Sequence, residues 1–263
     1  MPGSRYLFWG EWAILFTMAE TLLTSTHYQH RKADPKHHMM AWEKIDRVAI
    51  PGQEDDICLQ RRGEEFSIRT AGVELMNSRV HGSEDELARL TCQRLKQRTG
   101  LKILIGGLGM GFTLAAALKH TGTDARITVS ELIPAVIQWN REFLGHLAGN
   151  PLDDPRVEVK AEDVAKIIQA RTSFWDAVLL DVDNGPEALT HKDNQQLYTR
   201  SGLKASFGAL RPGGILSVWS AGDDEAFTLR LRQCGFLIEK KTVRARNPQK
   251  GSRHILWLAQ KPE

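Results

Sequence analysis

Acidic residues stand at the ends of apolar runs in this chain. Asp181 closes the run from Asp176 to Leu180, with Asp183 two residues further on. Two carboxylates so close raise the pKa of one, which keeps a group usable as a base or as a seat for a cation. Glu131 follows the run from Arg126 to Ser130, and its two oxygens suit the paired hydroxyls of a ribose. The other reading of Glu131 is an exposed acid capping the next helix. Asp163 follows Arg156 to Lys160 and fits an acceptor for an adenine amino group, or the N-cap of the helix after it, or both. Asp183-Asn184-Gly185-Pro186 is also strong turn chemistry, so a reactive pair and a plain turn both stay open there.

These acids gain meaning from Leu101 to Phe112, LKILIGGLGMGF. The apolar start reads as a buried parallel strand, and a helical run follows Phe112. Strand, glycine loop and helix together bring backbone N–H groups up to a nucleotide. Gly107, Gly109 and Gly111 space as G-x-G-x-G. The dinucleotide fingerprint needs a glycine one place later, where Phe112 stands and would crowd a pyrophosphate. The expected ligand is therefore adenosyl-like without a diphosphate: S-adenosylmethionine or a derivative. The loop residues Gly107, Gly109, Met110 and Gly111 are the expected contacts. The plainer alternative is a tight strand–helix turn.

The elements that must position these residues divide the chain in three. Residues 1–40 read as a poorly ordered extension, 41–80 as a small β-subdomain, and 81–263 as a Rossmann-like adenosyl-binding domain. Ile57 to Gln60, Phe66 to Arg69 and Val73 to Met76 alternate across Arg62-Gly63-Glu64 and Ala71-Gly72, which predicts an antiparallel meander. Ser83 and Glu86 form a capping box for a helix striped by Leu87, Leu90 and Leu95. From Leu101 strands and helices alternate. Helices are expected from Pro134 to about Leu147, after Asp163 to about Ala170, from Asn194 to Leu210, and from an Asp223 cap to about Cys234. Strands at Ile215 to Trp219, Phe236 to Arg244 and His254 to Ala259 close the chain. This predicts an α/β fold with a doubly wound, mostly parallel sheet of the class I methyltransferase kind, its last strand antiparallel.

Composition narrows the partners. A net charge of +3 is too small to imply nucleic acid, and the basic stretch from Lys240 to Arg253 has no aromatic residue between Thr242 and Ile255. Cys58, Cys92 and Cys234 form no C-x-x-C, which suggests reduced thiols in a cytoplasm and no metal site. Tyr6 to Thr24 is apolar but carries Glu11 and Glu20, unlike a spanning helix, and TSTHYQH supplies no signal cleavage site. No membrane partner is expected; an interfacial helix over Tyr6 to Leu23 is the competing reading. The histidines of HYQHRKADPKHH match no common metal spacing and read as a solvated linker.

Several blocks then resemble the spermidine synthase family of aminopropyltransferases. They are Ile133-Pro134-Ala135-Val136-Ile137 after Glu131, Leu152-Asp153-Asp154-Pro155-Arg156-Val157, Trp175-Asp176-Ala177-Val178-Leu179-Leu180-Asp181, Gly185-Pro186 and Tyr198. The resemblance covers about Gly72 to Gly214. It implies a transferase of polyamine biosynthesis with an N-terminal β-subdomain, decarboxylated S-adenosylmethionine as donor and a diamine, a small-molecule amine, as acceptor. By position it makes Glu131 the ribose acid, Asp163 the adenine acid and Asp181 the first acid of the catalytic loop. A homodimer is left open.

The departures fall in the amine half. The family loop carries an aspartate for the donor's amine where Met110 stands. Asp183 follows Asp181 by two residues rather than three. A glutamine and a Tyr-His-Glu-like run are replaced by Glu74-Leu75 and His81-Gly82-Ser83-Glu84. Three readings follow: aminopropyl transfer with Asp181 or Asp183 as base, methyl transfer from S-adenosylmethionine, for which a neutral Met110 suits the donor's carboxylate, and a non-catalytic adenosyl-binding protein.

Overall fold

The computed structural model describes residues 40–50, 55–182, 195–246 and 250–263. The expected extension over residues 1–40 lies outside this set except for Met40. Residues 40–263 form one compact unit.

Four strands open it: β1 Glu43–Ala49, β2 Asp56–Arg62, β3 Glu65–Thr70 and β4 Val73–Asn77. They pair antiparallel in chain order. The meander is as the alternation predicts, with Gly63 and Gly72 at positive φ in its turns; β1 is an added strand the pattern of residues 57–76 did not reveal. One face of this sheet carries Ile57, Leu59, Phe66 and Ile68, all buried. They join one apolar cluster with Leu108, Met110 and Phe112, so the small sheet docks on the glycine loop. Trp139 fastens it further by donating from Nε1 to Asp46 Oδ2 at 2.7 Å.

Helix α1 (Gly82–Arg94) leads into the main sheet. Its start corrects the expected capping box. The Ncap is His81, and Ser83 is buried two residues after it in the first turn, donating to Glu84 Oε2 instead. The main sheet follows: β5 Lys102–Gly106, α2 Phe112–Lys119, β6 Arg126–Ser130, α3 Pro134–Trp139, β7 Val157–Lys160, α4 Val164–Gln169, β8 Trp175–Leu180, α5 Gln195–Tyr198, α6 Arg200–Ala209, β9 Leu210–Ser220, α7 Glu225–Gln233, β10 Leu237–Arg246 and β11 Lys250–Gln260. The strand order is β10-β11-β9-β8-β5-β6-β7. β9, β8, β5, β6 and β7 run parallel, and β11 runs antiparallel to both β9 and β10. The antiparallel last strand is therefore interior rather than at the edge.

Pro134 does open its helix, but after Trp139 the chain loosens into a π-helical turn (Asn140–Leu144) and a 3₁₀ turn (Gly145–Ala148). Asp224, not Asp223, caps α7, accepting from Phe227 N–H at 2.8 Å. Asp223 pairs instead with Lys240. Each face of the sheet has its own core. Ile103, Ile105, Ile127, Val129 and Leu179 pack on the side of α1 to α3, and Leu104, Val178, Leu180, Leu216 and Val218 pack on the side of α4, α6 and α7. Asp176, almost fully buried in β8, puts a charged group into this apolar sheet. It accepts from Lys102 N–H and from Arg98 and Arg211, so no lone charge is left inside. No helix among the described residues is long and apolar enough to cross a membrane.

Candidate functional site

The glycine loop leaves β5 held on both sides. Gly107 N–H donates to Ser130 O and Asp181 N–H to Gly106 O, both at 2.9 Å, which carries the ladder one residue past the strands. Gly107, Gly109 and Gly111 take φ of +90°, +51° and +85°, a region other residues avoid. A Cβ at Gly109 would stand 2.7 Å from Met76 Sδ, so β4 closes over the loop. Asn140, in the π-helical turn, fixes the loop from beneath: its Nδ2 donates to Gly109 O at 2.7 Å and Val136 O at 2.9 Å. Single π turns of this kind recur at functional sites.

A cavity of about 190 Å³ opens where the parallel strands end. Gly107, Gly109, Glu131, Asp163 and Asp181 all border it. Glu131 is buried, and its oxygens accept from Leu108 N–H at 3.0 Å and Ile133 N–H at 2.9 Å. Burial raises its pKa, and these backbone donors oppose the rise. The backbone N–H groups of Leu132 and Gly109 act on it in the same sense. Asp163 caps α4, its Oδ1 accepting from Ala165 N–H at 2.8 Å. Its other oxygen is free of that task.

Two expected contacts are corrected. Met110 is fully buried in the core and does not border the cavity. Gly111 is also absent from the wall. It serves as the left-handed cap of α2, where a Cβ would press on Pro151 and Asn140. Asp183 lies outside the described residues. Glu74 is spent elsewhere, accepting from Ser67 Oγ and Asn77 Nδ2 at 2.8 Å each.

Among the described residues, a second carboxyl borders the cavity with Asp181. Asp181 accepts from Thr113 Oγ1 at 2.5 Å, and desolvation pushes its pKa up to about 6. Glu84, in the first turn of α1, also borders the cavity. Desolvation and the charge of Asp181 push it up to about 7, against the pull of its Ser83 hydrogen bond. Two carboxyls that titrate near neutrality and feel each other can take up a proton and hold a cation. Around them stand Ile50, Ile57, Ile68, Leu75 and Met76 from the small sheet and its following residue, and Trp219 from β9. Phe112 lines the cavity as well and stacks on His81 with ring centroids 4.0 Å apart. Among the described residues, no cluster of His, Cys, Asp and Glu could hold a metal ion.

This is the fold of doubly wound α/β proteins that take ligands at the carboxyl ends of their strands. Residues 91–229 match the spermine/spermidine synthase domain. The match covers over half of the chain, and the chain belongs to the spermine/spermidine synthase family. It is 34% identical to polyamine aminopropyltransferase 2 of Pseudomonas aeruginosa over 131 residues, 47% of this chain and 35% of that protein. It is 30% identical to putrescine N-methyltransferase 2 of Nicotiana tabacum over 159 residues, 59% of this chain and 40% of that protein. The matches thus span about two-fifths or less of the length of these curated relatives. The spermidine synthase of Thermotoga maritima has the same fold, with a TM-score of 0.65 and 19% identity over 83% of this chain and 72% of that one. A spermidine synthase in complex with the transition state analogue AdoDATO superposes with a TM-score of 0.65 and 18% identity, over 89% of this chain and 82% of that one.

Proposed function

We propose that the protein is an aminopropyltransferase that takes an adenosyl sulfonium donor, decarboxylated S-adenosylmethionine, and passes its aminopropyl group to a small amine. One observation carries this reading: Glu131, Asp163 and Asp181 border a single cavity beside the glycine loop. Glu131 stands on the wall where the ribose hydroxyls would donate to it, and Asp163 has one oxygen beyond its cap bond for the adenine amino group. Gly107 and Gly109 let the backbone approach the donor without a side chain between. The amine must reach the reaction uncharged at nitrogen. Asp181 takes its proton; the nitrogen lone pair forms the new N–C bond; the C–S bond breaks and its electron pair stays on sulfur. The products are a neutral thioether, methylthioadenosine, and the lengthened amine. Holding donor and acceptor in line in one cavity supplies most of what such a displacement needs.

Methyl transfer from S-adenosylmethionine is the second reading. It is favoured by the likeness to a putrescine N-methyltransferase, whereas the argument from Met110 no longer supports it, because that side chain is in the core. The test is incubation with an amine and each donor in turn, followed by mass spectrometry. An aminopropyl mass gain supports the first reading and a methyl gain the second. Methylthioadenosine binding with neither product would leave the adenosyl-binding role alone, and absence of such binding would remove all three.

A further inference from the structure

The acids on the cavity wall follow the order of the strands. Along the sheet, β7, β6, β5 and β8 lie side by side. Asp163 comes after β7, Glu131 after β6, the glycine loop after β5 and Asp181 after β8, and all of them border the one cavity. Neighbouring strands stand about 4.8 Å apart, so the ends of β7 and β8 are roughly 14 Å apart. A donor with its adenine at Asp163 and its ribose at Glu131 therefore lays its sulfur over the glycine loop and its tail toward the end of β8. That tail ends in an ammonium group. The loop it crosses, Gly107 to Gly111, carries no acid. Beyond the loop, α1 brings Glu84 to the same wall. Glu84 is near enough to Asp181 to feel its charge, and Asp181 in turn is bonded to Thr113 in the first turn of α2. Stacked rings hold α1 to that turn: His81 is the Ncap of α1, and Phe112 is the first residue of α2. Glu84 accepts from Ser83 Oγ at 2.5 Å. His81 attracts it, but His81 is already bonded to Asp85.

We propose that Glu84 binds the ammonium group of the donor's aminopropyl tail, which leaves Asp181 for the acceptor. The inference rests on the aminopropyl-transfer reading above and assigns the donor's tail within it. The two acids are not interchangeable in these duties. An ammonium held against Asp181 would weaken its hold on a proton, and a base needs that hold. The same ammonium against Glu84 puts a fixed cation where a proton would otherwise sit, and it offsets the repulsion between the two carboxyls. S-adenosylmethionine carries a carboxylate beside the same ammonium. At the end of β8 that carboxylate meets the charge of Glu84, and like charges at close range disfavour each other. Glu84 is thus a donor-binding residue that acts for the decarboxylated donor and against the other.

The experiment is titration calorimetry at pH 8 on the full chain, without acceptor. Its probes are methylthioadenosine, which lacks the ammonium, decarboxylated S-adenosylmethionine, which has it, and S-adenosylmethionine, which adds a carboxylate. Glu84→Gln keeps the size and polarity of the side chain but not its charge. It should bind the decarboxylated donor at least tenfold more weakly than the parent does, and methylthioadenosine within twofold. S-adenosylmethionine should lose less than the decarboxylated donor, because its carboxylate is relieved of a repulsion. Glu84→Asp restores the charge and should recover part of the lost affinity. A decarboxylated donor that binds Glu84→Gln within twofold of the parent overturns the inference. Equal losses for that donor and methylthioadenosine overturn it too, since they would make Glu84 a support of the cavity and not a partner of the tail. Product masses from the parent separate the failures. Aminopropyl transfer, with donor affinity unchanged in Glu84→Gln, overturns this inference alone; methyl transfer without aminopropyl transfer overturns the reading beneath it as well.

Discussion

Gly107 and Asp181 approach so closely that a Cβ on Gly107 would collide with the Asp181 carbonyl oxygen. The end of β8 can therefore reach the cavity only because residue 107 has no side chain. Gly107 also sits at φ +90°.

Gly107→Ala should consequently lose both stability and ligand binding. The left-handed backbone alone costs about 1–2 kcal/mol for an ordinary residue, and the collision adds to it. Gly100→Ala is the control, at φ +57° with open space around it. Denaturant titration should show a clearly larger loss for Gly107→Ala, with methylthioadenosine binding weakened only there. Equal losses would mean the close approach is not tight.

Glu131 holds up the loop as well as bordering the cavity. Glu131→Ala strands the N–H groups of Leu108 and Ile133, and each buried donor left unpaired costs about 1–3 kcal/mol. The variant should fall in stability and bind methylthioadenosine at least tenfold more weakly. Glu131→Gln keeps an acceptor and should recover much of the stability but little of the binding. Full binding by either variant would remove Glu131 from the ligand site.

Met110→Asp tests the correction made at the loop. A carboxylate in that dry core position has no partner, and such burial costs several kcal/mol (about 3–5 for an uncompensated charge). The variant should unfold at much lower denaturant, while Met110→Leu should cost less than about 1.5 kcal/mol. A stable Met110→Asp protein with altered donor preference would show that residue 110 does face the donor.

The acids at the ends of β6, β7 and β8 were legible because a strand between glycines or turns fixes where its last residue points. The loop was not legible in the same way. Gly109 and Gly111 flank Met110 with left-handed backbone, and that twist, which spacing does not reveal, sends its side chain into the core. Glu84 was hidden beside Asp85, two acids that read alike as a favourable first turn of a helix. Its burial on the cavity wall beside Asp181 is what sets Glu84 apart. The cap on α7 shows the same limit: of the neighbours Asp223 and Asp224, local sequence favours neither.

Stability should fall as pH rises from about 5 to 8. Glu84 moves from 4.5 to about 7 on folding and Asp181 from 3.8 to about 6. The folded protein thus binds protons that the unfolded chain has released. That stabilisation is whole below the ordinary carboxylate range and is lost as pH passes about 6 and then about 7. A carboxyl raised from 4.5 to about 7 forfeits about 3 kcal/mol over the interval. His81, raised by its bond to Asp85, pulls the same way, so the parent is compared with Glu84→Gln. Calorimetric unfolding should show a shallower slope in the variant, and transfer activity of the parent should climb over the same interval as Asp181 ionises. Matching slopes in parent and variant would mean Glu84 is solvated.

The interior place of β11 reaches beyond the site to the way the chain is made. A ribosome that has released the polypeptide through Arg246 has produced β9 and β10, yet these two strands do not pair with each other. Their shared neighbour is synthesised last and must slide between them, making antiparallel ladders on both sides. Until it does, β9 is an open edge, and open edges recruit other chains. A polypeptide stopped after Arg246 should therefore aggregate on expression even though the cavity-lining residues described here are already in it, and a soluble, cooperatively melting product would show that the parallel strands close a core of their own first.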